Sequence, residues 1–294
     1  MCAGFLTSWI RLGTNCEKSK TCSADRDDDA DELSLMERSE LGVLKSQGFL
    51  AAQYSMDELK MPQLSGDCST DDDVCLAFAE FVAEEEFPCA GAKAALATDS
   101  IDYLVASDLA GDDMDQQIAA AVAGFAEAVD ETLEFFSLVV LFPNSPSFSE
   151  QQFEAALWSR LEALHKLDKQ QYSWDSAVSD DPASPQFSFS IGGRAFYIVG
   201  LHPGASRKAR QFQCAALVFN AHSQFERLRS TGRYDKIRQT ILDRDVQYSG
   251  SVNPMLAVHG TNSEARQYSG RAVADNWVCP FSTAPANPQP GSFE

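Results

Sequence analysis

The 294-residue sequence contains no apolar run near the ~20 residues that a membrane-spanning helix needs. It has no Asn-x-Ser/Thr glycosylation acceptor. Its first residues, "MCAGFLTSWIRLG", lack the positive segment of a secretory signal, and their apolar stretch is short for one. Eight cysteines occur, at 2, 16, 22, 68, 75, 89, 214 and 279, yet no C-x-x-C unit is among them. Their irregular spacing in a chain of this length argues against a disulfide scaffold. The expectation is a cytoplasmic protein with free thiols and no membrane association. Catalytic signatures are missing too: there is no G-x-G-x-x-G, no Walker loop, no G-x-S-x-G and no H-E-x-x-H.

Basic residues are scarce in the first half. Residues 1–150 hold 8 Lys and Arg against 30 Asp and Glu, a balance of −22, while residues 151–294 hold 15 against 13, or +2. A net acidic chain has no general footprint for nucleic acid, which is excluded as a partner. The four histidines, His165, His202, His222 and His259, all lie in the second half. Two of them share the stretch "GLHPGASRKARQFQCAALVFNAHSQFERLR" with Arg207, Lys208, Arg210, Arg227 and Arg229. Such a concentration of cations in an acidic protein suggests a local anion site.

Hydrophobic patterning divides the chain into an acidic, largely disordered extension (1–66), one domain (67–282) and a loose Pro-rich tail (283–294). The run "SADRDDDADE" is too poor in apolar residues to offset its ordering entropy, although residues 33–60 have the makings of a helix or two. Val74, Cys75, Phe78, Phe81 and Val82 recur at helical spacing, and Pro88 should stop that helix. Residues 114–134 form an Ala-rich helix that leads into "FFSLVVLF", a buried strand. Ser149 and Gln152 have capping-box spacing ahead of the stripe Phe153, Leu157, Leu161 and Leu164. Phe187, Phe189 and Ile191 alternate before Gly192-Gly193, a hairpin turn signal, and "RAFYIVGL" is the partner strand. "QCAALVF" is a further strand, and Ser223 with Glu226 repeats the capping-box spacing before a short helix ending at Gly232. The fold class expected is α+β: a single domain with a small mixed or antiparallel sheet packed by helices.

Several residues stand at positions suited to chemistry, each with a plainer alternative. His202 follows a strand directly, where functional side chains are often mounted, but a ring that only caps the turn would sit there too. Arg207 and Arg210 are three apart, as in a carboxylate or phosphate clamp or on a solvated basic face. His222 lies between a strand and a helix, as a site residue or a satisfied structural one. Cys89 sits at a Pro-enforced break beside the small residues "AGAKAALA", which would let a bulky ligand approach. Buried and inert is nevertheless the commoner state of a cysteine.

The segments "FPCAGAKAAL", "FSFSIGGRAFYIVGLHPGASRKAR", "VFNAHSQFERLR", "GSVNPML", "SEARQYSGR" and "WVCPF" run in order from Phe87 to Phe281, and together they resemble the YqcI/YcgG family. The first 66 residues have no counterpart. Family members with assigned activity are haem-dependent N-hydroxylases, among them the arginine hydroxylase of the D-cycloserine pathway and the pre-guanitoxin N-hydroxylase. The resemblance therefore implies non-covalent haem b, O2, an electron donor and a guanidine- or amine-bearing small molecule, such as an amino acid. It implies that Arg207 and Arg210 hold the haem propionates, and that Cys89 or a histidine, His202 or His222, holds the iron, with Cys279 as second choice among the thiols. Glu264, in "SEARQYSGR", is the candidate carboxylate for the substrate cation. One departure is the sequence Asn220-Ala221-His222 where the family pattern has Asn-Pro-His. Two rival readings remain: a haem sensor or carrier without turnover, and a non-haem metal protein using His202, His222 and Glu226 or Glu264.

Overall fold

The computed structural model describes residues 71–129, 132–255 and 260–283. The expected disordered extension (1–66), the helices expected within 33–60, and the tail after residue 283 lie outside the described residues.

Asp71, Asp72 and Asp73 fill the first turn of helix α1 (Asp71–Ala83), where the helix dipole favours carboxylates. Val74, Cys75, Phe78 and Val82 form its buried stripe. The chain breaks before Pro88, and helix α2 (Ala90–Ala97) starts at once. It leads into strand β1 (Ile101–Val105), then helix α3 (Asp115–Ala128) and strand β2 (Ser137–Phe142). Helix α4 (Glu150–Asp168) opens on the expected capping box: the Gln152 N–H donates to Ser149 Oγ (3.3 Å), and the Ser149 N–H to Gln152 Oε1 (2.9 Å). Phe153, Leu157, Leu161 and Leu164 are all fully buried, as their spacing predicts.

Strands β3 (Phe189–Ile191) and β4 (Arg194–Leu201) pair antiparallel across Gly192 and Gly193. Both glycines have positive φ (62° and 70°), the turn that matches strand twist. Strand β5 (Ala215–Ala221) completes a five-stranded sheet of order β1-β2-β5-β4-β3. Only the β1–β2 pair is parallel, so the sheet is mixed, as the α+β reading allows. Helices α5 (His222–Ser230), α6 (Tyr234–Ser249) and α7 (Ala265–Tyr268) follow.

Side-chain alternation sends the strands' residues to two separate cores. Leu138, Val140, Phe196, Ile198, Leu217 and Phe219 pack with Phe125 of α3 and with Phe153, Leu157 and Leu161 of α4. Val139, Leu141, Leu201, Ala216 and Val218 face the other way, against Val74, Phe78 and Val82 of α1. Gly200 lies under α4: a Cβ there would stand 2.7 Å from the Phe153 ring and 2.9 Å from Leu157, so only glycine lets helix and strand approach this closely.

The second capping box does not form. Helix α5 begins at His222 after Ala221, which places Ser223 inside the first turn rather than at the cap. Its Oγ makes no hydrogen bond, and Glu226 turns to Arg229 instead. Among the described residues, no helix is long and apolar enough to cross a membrane. Cys75, Cys89, Cys214 and Cys279 carry thiols rather than disulfides.

Candidate functional site

On the α1 side of the sheet lies a cavity of about 310 Å3, at the small end of the ~300–1,000 Å3 usual for ligand sites. Val139, Val199 and Val218 form an apolar floor, while α1, α2, α5 and α6 supply the walls. Five residues singled out from sequence line it: Cys89, Arg207, Arg210, His222 and Glu264.

Cys89 is the N-cap of α2. Pro88 before it and the extended backbone at Cys89 itself (φ −76°, ψ 100°) turn its side chain back, so that Sγ accepts the Ala92 N–H at 3.4 Å. Burial pushes the thiol up; the amide hydrogens of Ala92 and Gly91 and the Arg210 guanidinium pull the other way without prevailing. The small residues after Cys89 serve a neighbour as well: a Cβ on Gly91 would stand 3.1 Å from the Phe135 ring.

Arg207 and Arg210 are not two prongs of one helical face. Arg207 precedes a short 3-10 turn that Arg210 ends, and the two point to different partners. Arg207 pairs with buried Asp245 of α6 (2.5 Å) and donates to the Ser251 carbonyl (2.7 Å). Arg210 gives three of its N–H groups to the carbonyls of Gly200 (2.9 Å), Tyr268 (3.3 Å) and Gln267 (3.3 Å). Burial lowers its basicity, opposed by Tyr197, Cys89 and Asp245. Gly270, at φ +80°, lets the chain pass against the Arg210 stem, since a Cβ there would lie 3.3 Å from it.

Glu264 accepts hydrogen bonds from Ser188 Oγ (2.5 Å) and Tyr268 Oη (2.7 Å). Burial dominates these bonds and the Arg229 charge, and its carboxyl is pushed up to about 7. His222 Nε2 lies 3.8 Å from Glu226 Oε1, on the first turn of α5.

The structure separates His202 from this group. Alternation along β4 turns Tyr197, Val199 and Leu201 to the cavity, and Phe196, Ile198 and His202 to α4. There His202 is buried and stacked on Phe153, with ring centroids 4.2 Å apart. Cys279 is also elsewhere, in a second cleft with Asp180, Asp275 and Trp277, where burial pushes its thiol up to about 12. With His202 and His222 on opposite faces, the trio proposed for a non-haem metal does not assemble, and no other group of three His, Cys, Asp or Glu that could hold a metal occurs among the described residues.

Sequence reading missed Ser188, Tyr268 and Asp245. Ser188 and Ser190 alternate with Phe187, Phe189 and Ile191, a pattern that signals a solvent-facing side. Both serines are nonetheless buried: Ser188 Oγ donates to Glu264, and Ser190 Oγ accepts the Asp175 N–H. Tyr268 follows Glu264 by four residues, the spacing of neighbours on one helix face, and that was the available signal.

A haem would meet apolar walls, a sulfur donor in Cys89, an imidazole in His222 and cationic groups in Arg207 and Arg210. The donor set is of a kind that holds haem iron and propionates. Arg207 is already neutralised by Asp245, which leaves Arg210 as the less compensated cation.

The chain is 25% identical over 208 residues to the uncharacterized protein YcgG of Bacillus subtilis (strain 168), covering 67% of this chain and 81% of that protein. No solved structure matches the chain. Residues 78–282, which span the sheet and every cavity residue named above, match the YqcI/YcgG family, and the chain belongs to it.

Proposed function

We propose that this protein is a haem-dependent N-hydroxylase acting on a guanidine or amine nitrogen of a small molecule. The observation that carries the reading is the convergence of Cys89, Arg210 and Glu264 on one mainly apolar cavity. Cys89, once deprotonated, would hold the iron, and His222 is the remaining imidazole candidate. Arg210, helped by Arg207, would offset the propionate charges through charge-assisted hydrogen bonds. When bound, haem supplies the O2 activation and oxygen transfer that no side chain can. The chain's own residues supply the rest: valine and phenylalanine walls exclude water, and Glu264 pairs with the substrate cation, which cannot be desolvated alone.

The test is an absorption spectrum of the full chain expressed with haem supply, followed by incubation with O2, a reductant and candidate guanidines and amines. A Soret band with an N-hydroxylated product supports the proposal. A Soret band without product under any reductant points to a sensor or carrier, and no haem uptake overturns the reading.

A further inference from the structure

The cavity wall at Glu264 holds more than a single carboxyl. Ser188 Oγ and Tyr268 Oη, both buried, reach Oε1 of Glu264, and each also lies 3.2 Å from the Phe196 carbonyl oxygen. Tyr268 Oη meanwhile accepts the Phe189 N–H at 3.1 Å. Two hydroxyl protons thus have two acceptors within reach. With Glu264 ionised, both turn to the carboxylate, because charge-assisted bonds are the stronger. With Glu264 protonated, either can turn to Phe196, and no buried acceptor is stranded. Each hydroxyl proton therefore has an acceptor in both charge states. Among the described residues, every side-chain hydrogen bond of Glu264 falls on Oε1, which leaves Oε2 for a ligand in the cavity.

We infer that Glu264, with Ser188 and Tyr268 as positioning residues, is a proton-exchanging cation site: the ionised carboxylate binds an ammonium or guanidinium group, and the neutral acid does not. On binding, the carboxyl O–H breaks, its proton goes to solvent, and Oε2 takes a hydrogen bond from the ligand's N–H. This uses the substrate half of the proposed function, a cationic nitrogen, and none of its haem half.

The groups around Glu264 come from several elements. Arg229 of α5 favours the carboxylate, burial and the Glu264 charge keep Tyr197 of β4 protonated, and Tyr268 ends the helix α7 that Glu264 precedes. Arg229 is itself engaged by Glu226, so its pull is weakened. Tyr197 keeps its proton and donates to Gln267 Oε1 at 2.9 Å. His222, Arg210 and Arg238 line the same cavity. Burial prevails, and the carboxyl lies at about 7. Below that pH the site is neutral and above it ionised, so cation affinity rises with pH. From about pH 6 to about pH 8 the competent fraction grows from ~0.1 to ~0.9, a roughly tenfold gain in apparent affinity.

Calorimetric titration of the full chain with n-butylguanidinium and n-butylammonium, against neutral n-butylurea, tests the site without haem. Repeating each titration in buffers of different ionisation enthalpy counts the protons exchanged. The cations should bind better than the urea, release protons near neutrality, and gain roughly tenfold between those two pH values. Glu264→Gln should remove both the proton release and the pH dependence. Tyr268→Phe, which deletes one bond to the ionised form, should move the midpoint upward, a change that loss of packing alone would not produce. If Glu264→Gln does not fold, the Tyr268→Phe and Ser188→Ala midpoints decide. Equal binding of the urea, pH-independent cation binding, or no binding by any probe overturns the site even where haem is bound. Proton-linked cation binding in a protein that never takes up haem sustains the site and removes only the haem half of the proposed function.

Discussion

At Cys89, opposing influences act on one sulfur. Burial favours the thiol, while two amide hydrogens at the start of α2 and the Arg210 guanidinium favour the thiolate. A cationic metal would shift that balance outright, since ligation requires the deprotonated form. Under the proposed function, Cys89→Ser should change the Soret spectrum and abolish N-hydroxylation while circular dichroism shows the fold intact. His202→Ala should leave that spectrum unchanged, because His202 lies across the sheet. If Cys89→Ser keeps the parental spectrum and His222→Ala loses it, the imidazole holds the iron. His202 matters instead for stability. Burial lowers its imidazole below the usual value near 6.5, so the unfolded chain binds the proton more readily. Its contribution is complete above that value and is lost as pH falls through it toward the lowered folded value. His165 behaves alike, whereas Glu264, raised from 4.5 to about 7, acts oppositely: its contribution is complete below about 4.5 and lost as pH rises toward 7. Urea denaturation of parent and His202→Gln at about pH 5 and about pH 7 should therefore give a larger stability difference at the higher pH. A difference independent of pH would show that His202 does not titrate on unfolding.

Two serines with one spacing show how an element decides what a motif means. Ser149 and Ser223 each precede a Gln or Glu by three residues, yet only Ser149 caps. Ser149→Ala should cost about 1 kcal/mol, within the ~0.5–2 kcal/mol range of lost caps, and Ser223→Ala, which breaks no hydrogen bond, should be close to neutral. Paired thermal or urea denaturation checks both. The same contrast marks what could be read from the chain. The α4 stripe and the β3–β4 hairpin were legible because period and turn chemistry agree there. The face of His202 was not: β4 reads "RAFYIVGL", whose residues are apolar on both sides because both sides are covered, so no polar alternation tells one face from the other. Helix α6 gave little signal, since Asp245 and Tyr248 are its buried residues and polar contacts anchor it: Asp245 to Arg207, and Tyr248 to Glu84 at 2.6 Å. Strand β1, with Asp102 and Tyr103 in its middle, was likewise overlooked. Cys89, Arg210, His222 and Glu264 could be named from the family segments, but Ser188 alternates like a surface residue and meets Glu264 only in the fold.

Across the whole molecule, the charge lies where the fold is. Between residues 67 and 150, Lys93 is the one Lys or Arg against 19 Asp and Glu, whereas residues 1–66 hold 7 Lys and Arg against 11 Asp and Glu, only −4 of the total −20. A chain lacking residues 1–66 therefore keeps a charge of −16, ample for colloidal solubility. Among the described residues, both hydrophobic cores draw on the span from Val74 to Phe281, and the family match covers 78–282. Helix α1 needs no preceding residue for its acidic first turn, because Asp71, Asp72 and Asp73 supply it. Deleting residues 1–66 should thus leave the thermal transition and the Glu264 cation titration within error of the full chain, and likewise haem uptake where the full chain binds haem. Loss of soluble folded protein on truncation would show that the extension packs into the domain. A folded but binding-deficient product would instead place the extension at the cavity, against the sufficiency of residues 67–282 argued from the two cores.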